Sequence, residues 1–94
     1  MVQLHADTAY RFEMAAAQGA QDALFQLGLM YSTGRGVAED YVLAHKWFNL
    51  AALGGDAEAR EFRVQIAGDM TGEQIAEAQR LAREWMLTEG AAHH

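Results

Sequence analysis

Residues 23–55 read ALFQLGLMYSTGRGVAEDYVLAHKWFNLAALGG, and their pattern decides the fold. Two apolar runs at helical spacing flank a glycine-containing loop. In the first, Ala20, Ala23, Leu24, Leu27, Met30 and Tyr31 fall on one face at 100° per residue. In the second, Leu43, Ala44, Trp47, Phe48 and Ala51 do the same. Asp40 is a good N-cap for the second run, and Gly54 with Gly55 stops it. The intervening loop carries Gly34 and Gly36, which tolerate backbone conformations that other residues avoid. Gly28 sits inside the first run, where a missing side chain leaves a notch for a neighbouring helix backbone. The stretch therefore predicts two helices, over about residues 20–32 and 40–53, joined by a tight loop.

The pattern continues on both sides. At an offset of 36 residues, Phe12 falls on Phe48, Ala15 and Ala16 on Ala51 and Ala52, Gly19 on Gly55, and Ala23 on Ala59. These are the small and aromatic positions at which helices pack closely. A period of this length with two helices per unit belongs to the α-solenoids, in which each unit needs neighbours to cover its apolar face. Upstream, a helix is predicted from about residue 7 to 18, with Tyr10, Met14 and Ala17 on one stripe and Phe12, Ala15 and Ala16 beside it. Downstream, a fourth helix over about 56–67 turns Ala59, Phe62 and Ile66 inward and keeps Glu58, Arg60, Glu61 and Arg63 on a solvated face. Thr71 and Gln74 have capping-box spacing and open a fifth helix. Its stripe of Ile75, Ala78, Leu81, Ala82 and Trp85 runs to about Leu87 and suits a capping helix. Residues 1–87 read as a single domain and 88–94 as a flexible tail; His93 and His94 have the composition of a purification tag.

The segment from Ala23 to Gly55 resembles the Sel-one-like repeat, a relative of the tetratricopeptide repeat. The resemblance is carried by Ala23, Leu27 and Gly28, Tyr31, the run Gly34, Arg35, Gly36, Val37, then Asp40, Ala44, Trp47, Ala51, Ala52 and Gly55. The closing segment MTGEQIAEAQRLAREW is similar to the last helix of short bacterial members, although Gly72 stands where proline is common. The resemblance implies an all-α, right-handed α/α solenoid of about five helices, with one complete repeat between two partial ones. It also implies a non-enzymatic adaptor that holds protein partners on a curved helical surface.

Composition narrows the function in the same direction. The 94 residues carry 13 acids against 7 bases, a net charge of −6, which argues against a general nucleic-acid binder. Nineteen alanines against six valines or isoleucines, with no proline, favour helix. The lack of cysteine removes thiolate chemistry. No apolar run approaches the roughly 20 residues of a membrane span, and the N-terminus lacks a secretory signal pattern, which tilts localisation slightly towards the cytoplasm. Ser32 is the single serine and has no histidine at motif spacing; His45 has none at i±4 for a metal and is expected to face solvent. The Gly-Arg-Gly loop lacks the strand, third glycine and lysine of a phosphate cradle, so no catalytic site, metal or cofactor is expected. Trp47 and Trp85 read as core.

One stripe has no assigned neighbour. Asp22, Phe25, Leu29 and Ser32 recur along the second helix opposite its core face, and the offset places Glu58, Glu61 and Gln65 at matching positions on the fourth. The expected surface is an apolar patch bordered by acids. Three occupants fit it: the rest of this stack, a basic-hydrophobic protein or peptide segment, or a second copy of the chain. The protein is accordingly expected to be a monomer or a homodimer.

Overall fold

The computed structural model describes the backbone of residues 3–89 and side chains from Thr8 to Glu89. Five helices follow one another: α1 (Gln3–Ala17), α2 (Gln21–Thr33), α3 (Tyr41–Leu53), α4 (Ala57–Ala67) and α5 (Gly72–Thr88). Among the described residues there is no strand, and the fold is an all-α helical repeat. Of the expected tail, 88–94, Thr88 is the last residue of α5 and Glu89 follows it, while residues 90–94 lie outside the described residues.

The helix boundaries follow from local chemistry. The Asp40 and Asp56 carboxylates accept from the backbone N–H groups of Leu43 (3.1 Å) and Ala59 (3.0 Å), fixing the starts of α3 and α4. At α5 the capping box is complete: Thr71 Oγ1 accepts from Gln74 N at 3.1 Å, and Gln74 Oε1 accepts from Thr71 N at 2.9 Å. Glycine at position 72 therefore does not prevent a well-formed first turn. Gly34 ends α2 in the left-handed region (φ 74°), and its N–H donates to Met30 O. Gly36 is also left-handed (φ 83°), and the loop closes when Asp40 N donates to Tyr31 O at 2.9 Å.

Helix α3 is the keystone. It packs against α2, α4 and α5, whereas α2 and α4 meet each other sparingly and α1 leans on α2. Phe48 is fully buried and lies over Gly28 of α2: a Cβ on Gly28 would come within 2.9 Å of Phe48 Cγ and nearer still to Cδ1 and Cε1. The notch expected at Gly28 exists, but a phenyl ring fills it rather than a helix backbone. On another side of α3, Trp47 meets Trp85 of α5 edge to face at 4.8 Å. Lys46 Nζ lies 4.2 Å from the Trp47 ring centre and 5.4 Å from that of Trp85. Both tryptophans are packing residues.

Three expectations need correction. Tyr10 and Met14 are 62% and 45% exposed, because α1 turns Ala9, Phe12 and Ala16 towards the stack instead. Periodicity placed both groups on α1 but did not say which side met α2. His45 is buried, not solvent-facing, at 4% exposed. Its position lies just beside the main stripe of α3, a helix packed against α2, α4 and α5. Arg63 also leaves the solvated face of α4: it is half-buried and donates from Nη1 to Asn49 Oδ1 of α3 at 2.6 Å.

Candidate functional site

The stripe singled out in the sequence lies on α2 and α4. Phe25 is half-buried, and its ring packs against Phe48 (5.8 Å between centres, tilted 52°) and Phe62 of α4 (5.6 Å, 65°). Phe48 and Phe62 are themselves stacked at 5.4 Å with 19° between planes. Phe25 thus has neighbours in its own stack, on α3 and α4, and only part of it remains open. Two helices that barely touch through their backbones are joined by these rings.

Leu29 is likewise half-buried and packs against the core. With Gln26, Met30, Thr33 and Arg35 it lines a shallow hollow of about 210 Å³ on α2. The backbone carbonyl of Leu29 accepts from both Ser32 Oγ (3.1 Å) and Thr33 Oγ1 (2.7 Å). Ser32 is therefore a helix-turn donor, with its hydroxyl turned back onto its own helix. Glu61 and Gln65 line a second hollow, on α4, with Arg60 and Val64; Asp22, Ser32 and Glu58 line neither. The single groove expected from the offset is instead a pair of hollows on α2 and α4, with the Phe25–Phe62 contact joining the two helices.

The electrostatics are acidic at the beginnings of both helices. Asp22 lies in the first turn of α2 and Glu58 in the first turn of α4, where the helix dipole favours negative charge. Asp22, Glu58 and Glu61 are exposed, and none makes a hydrogen bond or ion pair with another described residue. Two exposed carboxylates of α5 are different, because Arg80 bridges Glu77 and Glu84 at 2.7 Å each. Sequence reasoning missed Arg35, an exposed cation at the far end of the α2 hollow. Its position one residue beyond the helix-ending Gly34 is the signal that would have placed it there.

Among the described residues, no three His, Asp or Glu side chains gather as a metal-binding set. No described helix is long and apolar enough to cross a membrane. The site presents apolar surface, unpaired carboxylates and the exposed guanidinium groups of Arg35 and Arg60, and such a surface can hold a complementary segment by burial and charge.

Residues 21–56 match the family model of the Sel1 repeat. Among solved structures, the chain is similar to the crystal structure of a protective antigen present in uropathogenic Escherichia coli strains, which displays an SLR fold. The two superpose with a TM-score of 0.80 at 30% sequence identity, over 90% of this chain. The chain spans 18% of the length of that protein. A comparison with curated proteins gives no match.

Proposed function

We propose, from the match of residues 21–56 to the Sel1 repeat and the likeness of the chain to an SLR-fold protein, that it is a non-enzymatic adaptor that binds a basic-hydrophobic peptide segment across α2 and α4. The observation that carries this reading is that the same two helices present the half-buried Phe25, Leu29 and Phe62 and the unpaired, exposed carboxylates of Asp22, Glu58 and Glu61. An apolar side chain of the ligand covers the apolar three, and a lysine or arginine answers the acids. Asp22, Phe25, Leu29, Ser32, Glu58, Glu61 and Gln65 form the proposed surface, with Phe25 and Ser32 contributing mainly by shaping it. No catalytic step is assigned to the protein.

The affinity is modest. Two partly buried apolar contacts give at most about 1.5–3 kcal/mol each, and association entropy opposes them. A dissociation constant in the micromolar range follows, about −8 kcal/mol.

The test uses the charges and leaves the rings alone, because Phe25 supports the core. Glu58→Lys combined with Glu61→Lys alters exposed side chains without internal partners. Its stability falls by no more than the first-turn charge effect at Glu58, about 0.3–1 kcal/mol, while binding to a library of basic-hydrophobic peptides falls and loses its salt dependence. Equal binding by the wild type and the double variant refutes the proposed surface.

Self-association is a second reading, favoured by apolar side chains open on α1 and α5: Tyr10 (62%), Met14 (45%), Met86 (48%) and Leu87 (77%). Light scattering on a sizing column across a concentration series separates the two. A mass near 10 kDa at every concentration supports the adaptor, and a dimer supports self-association.

A further inference from the structure

His45 occupies an unusual position for an ionisable group. It is 4% exposed, and its Nδ1 has no hydrogen-bond partner among the described residues. Asn49, one turn further along α3, is tied to Arg63 of α4, so a fixed guanidinium cation stands on the same side of α3 as the imidazole. A neutral ring tolerates this position, since Nδ1 can remain an unprotonated nitrogen. A protonated ring does not, because it places an N–H donor without an acceptor, and a full positive charge, in a buried site facing a cation.

Resting on the adaptor reading, we propose that His45 is an acid-sensitive latch on the partner surface: its protonation loosens α4 from α3, separates Phe62 from Phe25 and Phe48, and releases the bound segment. The bistable element is the α3–α4 seam. Phe62 of the ligand surface is held by the stack on Phe48 of α3 and the edge contact to Phe25, its link to α2, since the two helices otherwise have little direct contact. Any shift of α4 therefore changes the surface between the two helices.

The charges around His45 support one direction. From α4, Arg63 acts on the ring and opposes its protonation. From α2, Asp22 is exposed in the first turn, and Tyr31 responds to Glu13 and Asp40. From α5, Glu77, Arg80 and Glu84 form an exposed network among themselves, and Glu84 also acts on Lys46. On α3 itself, Lys46 lies over the tryptophan pair. No carboxylate is among the charges that act on His45. Burial, and then Arg63, hold its pKa below the ordinary 6.5. The native state thus prefers the neutral ring. Its contribution is complete above the unfolded-state value near 6.5 and is lost as pH falls from there towards the lowered folded value. Each unit of lowering corresponds to about a tenfold loss in the folding equilibrium.

The experiment follows the imidazole by NMR and the amide hydrogen exchange of α4 at about pH 7.5 and about pH 5, corrected for intrinsic exchange, in wild type and His45→Gln. The variant keeps the other three histidines. The expected result is an imidazole midpoint below 6.5, α4 protection that drops at acid pH in the wild type, and a smaller drop in the variant. Arg63→Gln raises the imidazole midpoint. A His45 midpoint at or above 6.5, or identical loss of α4 protection in both proteins, overturns the latch. Should His45→Gln fail to fold, the wild-type midpoint and its response to Arg63→Gln decide. The ligand arm measures binding of the selected basic-hydrophobic peptide at both pH values. Wild-type binding that weakens at acid pH while His45→Gln binding holds supports release, and parallel behaviour refutes it. Absence of binding at about pH 7.5 refutes the adaptor reading and with it the release of a segment, leaving the exchange data to judge the acid-sensitive seam alone.

Discussion

Replacing Gly28 with alanine sets two opposed effects against each other in one methyl group. Alanine is a better helix former than glycine by about 1 kcal/mol, so an exposed site would gain stability. At Gly28 the new Cβ meets the Phe48 ring, with Cγ at 2.9 Å and two ring carbons nearer. The ring has no free direction in which to retreat: it is fully buried, stacked on Phe62 and tilted against Phe25. Overpacking of this kind costs about 1–3 kcal/mol, and since the obstacle is a confined ring the upper part of that range applies. The net expectation is a loss of about 1–2 kcal/mol, or roughly 4–8 °C in Tm for each kcal/mol at this chain length. Thermal melts and urea titrations followed by helical circular dichroism measure it, with an unchanged m-value as the control for two-state behaviour. Phe48→Leu should absorb part of the strain, so Gly28→Ala should cost less in that background, with a coupling of about 0.5–3 kcal/mol. A Gly28→Ala protein that melts at or above the wild-type temperature refutes the reasoning.

Other substitutions probe the remaining joints. Trp85→Ala removes the edge contact to Trp47 and one of the two rings beneath Lys46; because Trp85 is half-buried, a loss of about 2–3 kcal/mol in urea stability is expected, and wild-type stability would show the pair to be incidental. Thr71→Ala breaks the capping box and lowers stability by about 1 kcal/mol, whereas Thr71→Ser stays close to neutral, a contrast that thermal melts resolve. Asn49→Ala leaves the half-buried Arg63 guanidinium without its acceptor, at about 1.5–3 kcal/mol, and Asn49→Asp should recover most of it. Gly54→Ala is the counter-case to Gly28: the atoms nearest its Cβ are the end of the Gln21 side chain, and its φ of −82° is ordinary, so Gln21 swings aside at the cost of its long 3.4 Å bond to Ala51 O. A change within about 0.5 kcal/mol is expected, and a loss as large as that of Gly28→Ala would mean that backbone, not side-chain, space is limiting.

The residues of the proposed surface are legible in the sequence as positions on two helices, but not as a shape. Asp22, Glu58 and Glu61 are exposed, because charged side chains at those helical positions avoid burial. Phe25 was read as lacking a neighbour, since a stripe on one helix does not show that α4 brings Phe62 alongside it. Arg63 shows the same limit from the other side: it sits in an alternating run of charges, yet its register on α4 aims it at Asn49 of α3. His45 was read as exposed for a related reason. Its burial is decided by the helices that pack around α3, which the local spacing does not show.

Local rules act over one helical turn, so the chain itself determined what those rules govern. Aspartate and threonine caps started α3, α4 and α5, left-handed glycine ended α2, and the recurring small and aromatic positions set a paired-helix repeat. Tertiary structure decided which side of α1 faces inward, what fills the notch at Gly28, and which polar groups are taken from water. Those outcomes depend on crossing angles and on side chains meeting across helices. A helical period fixes the angle of a residue around its own axis and says nothing of what will stand opposite it.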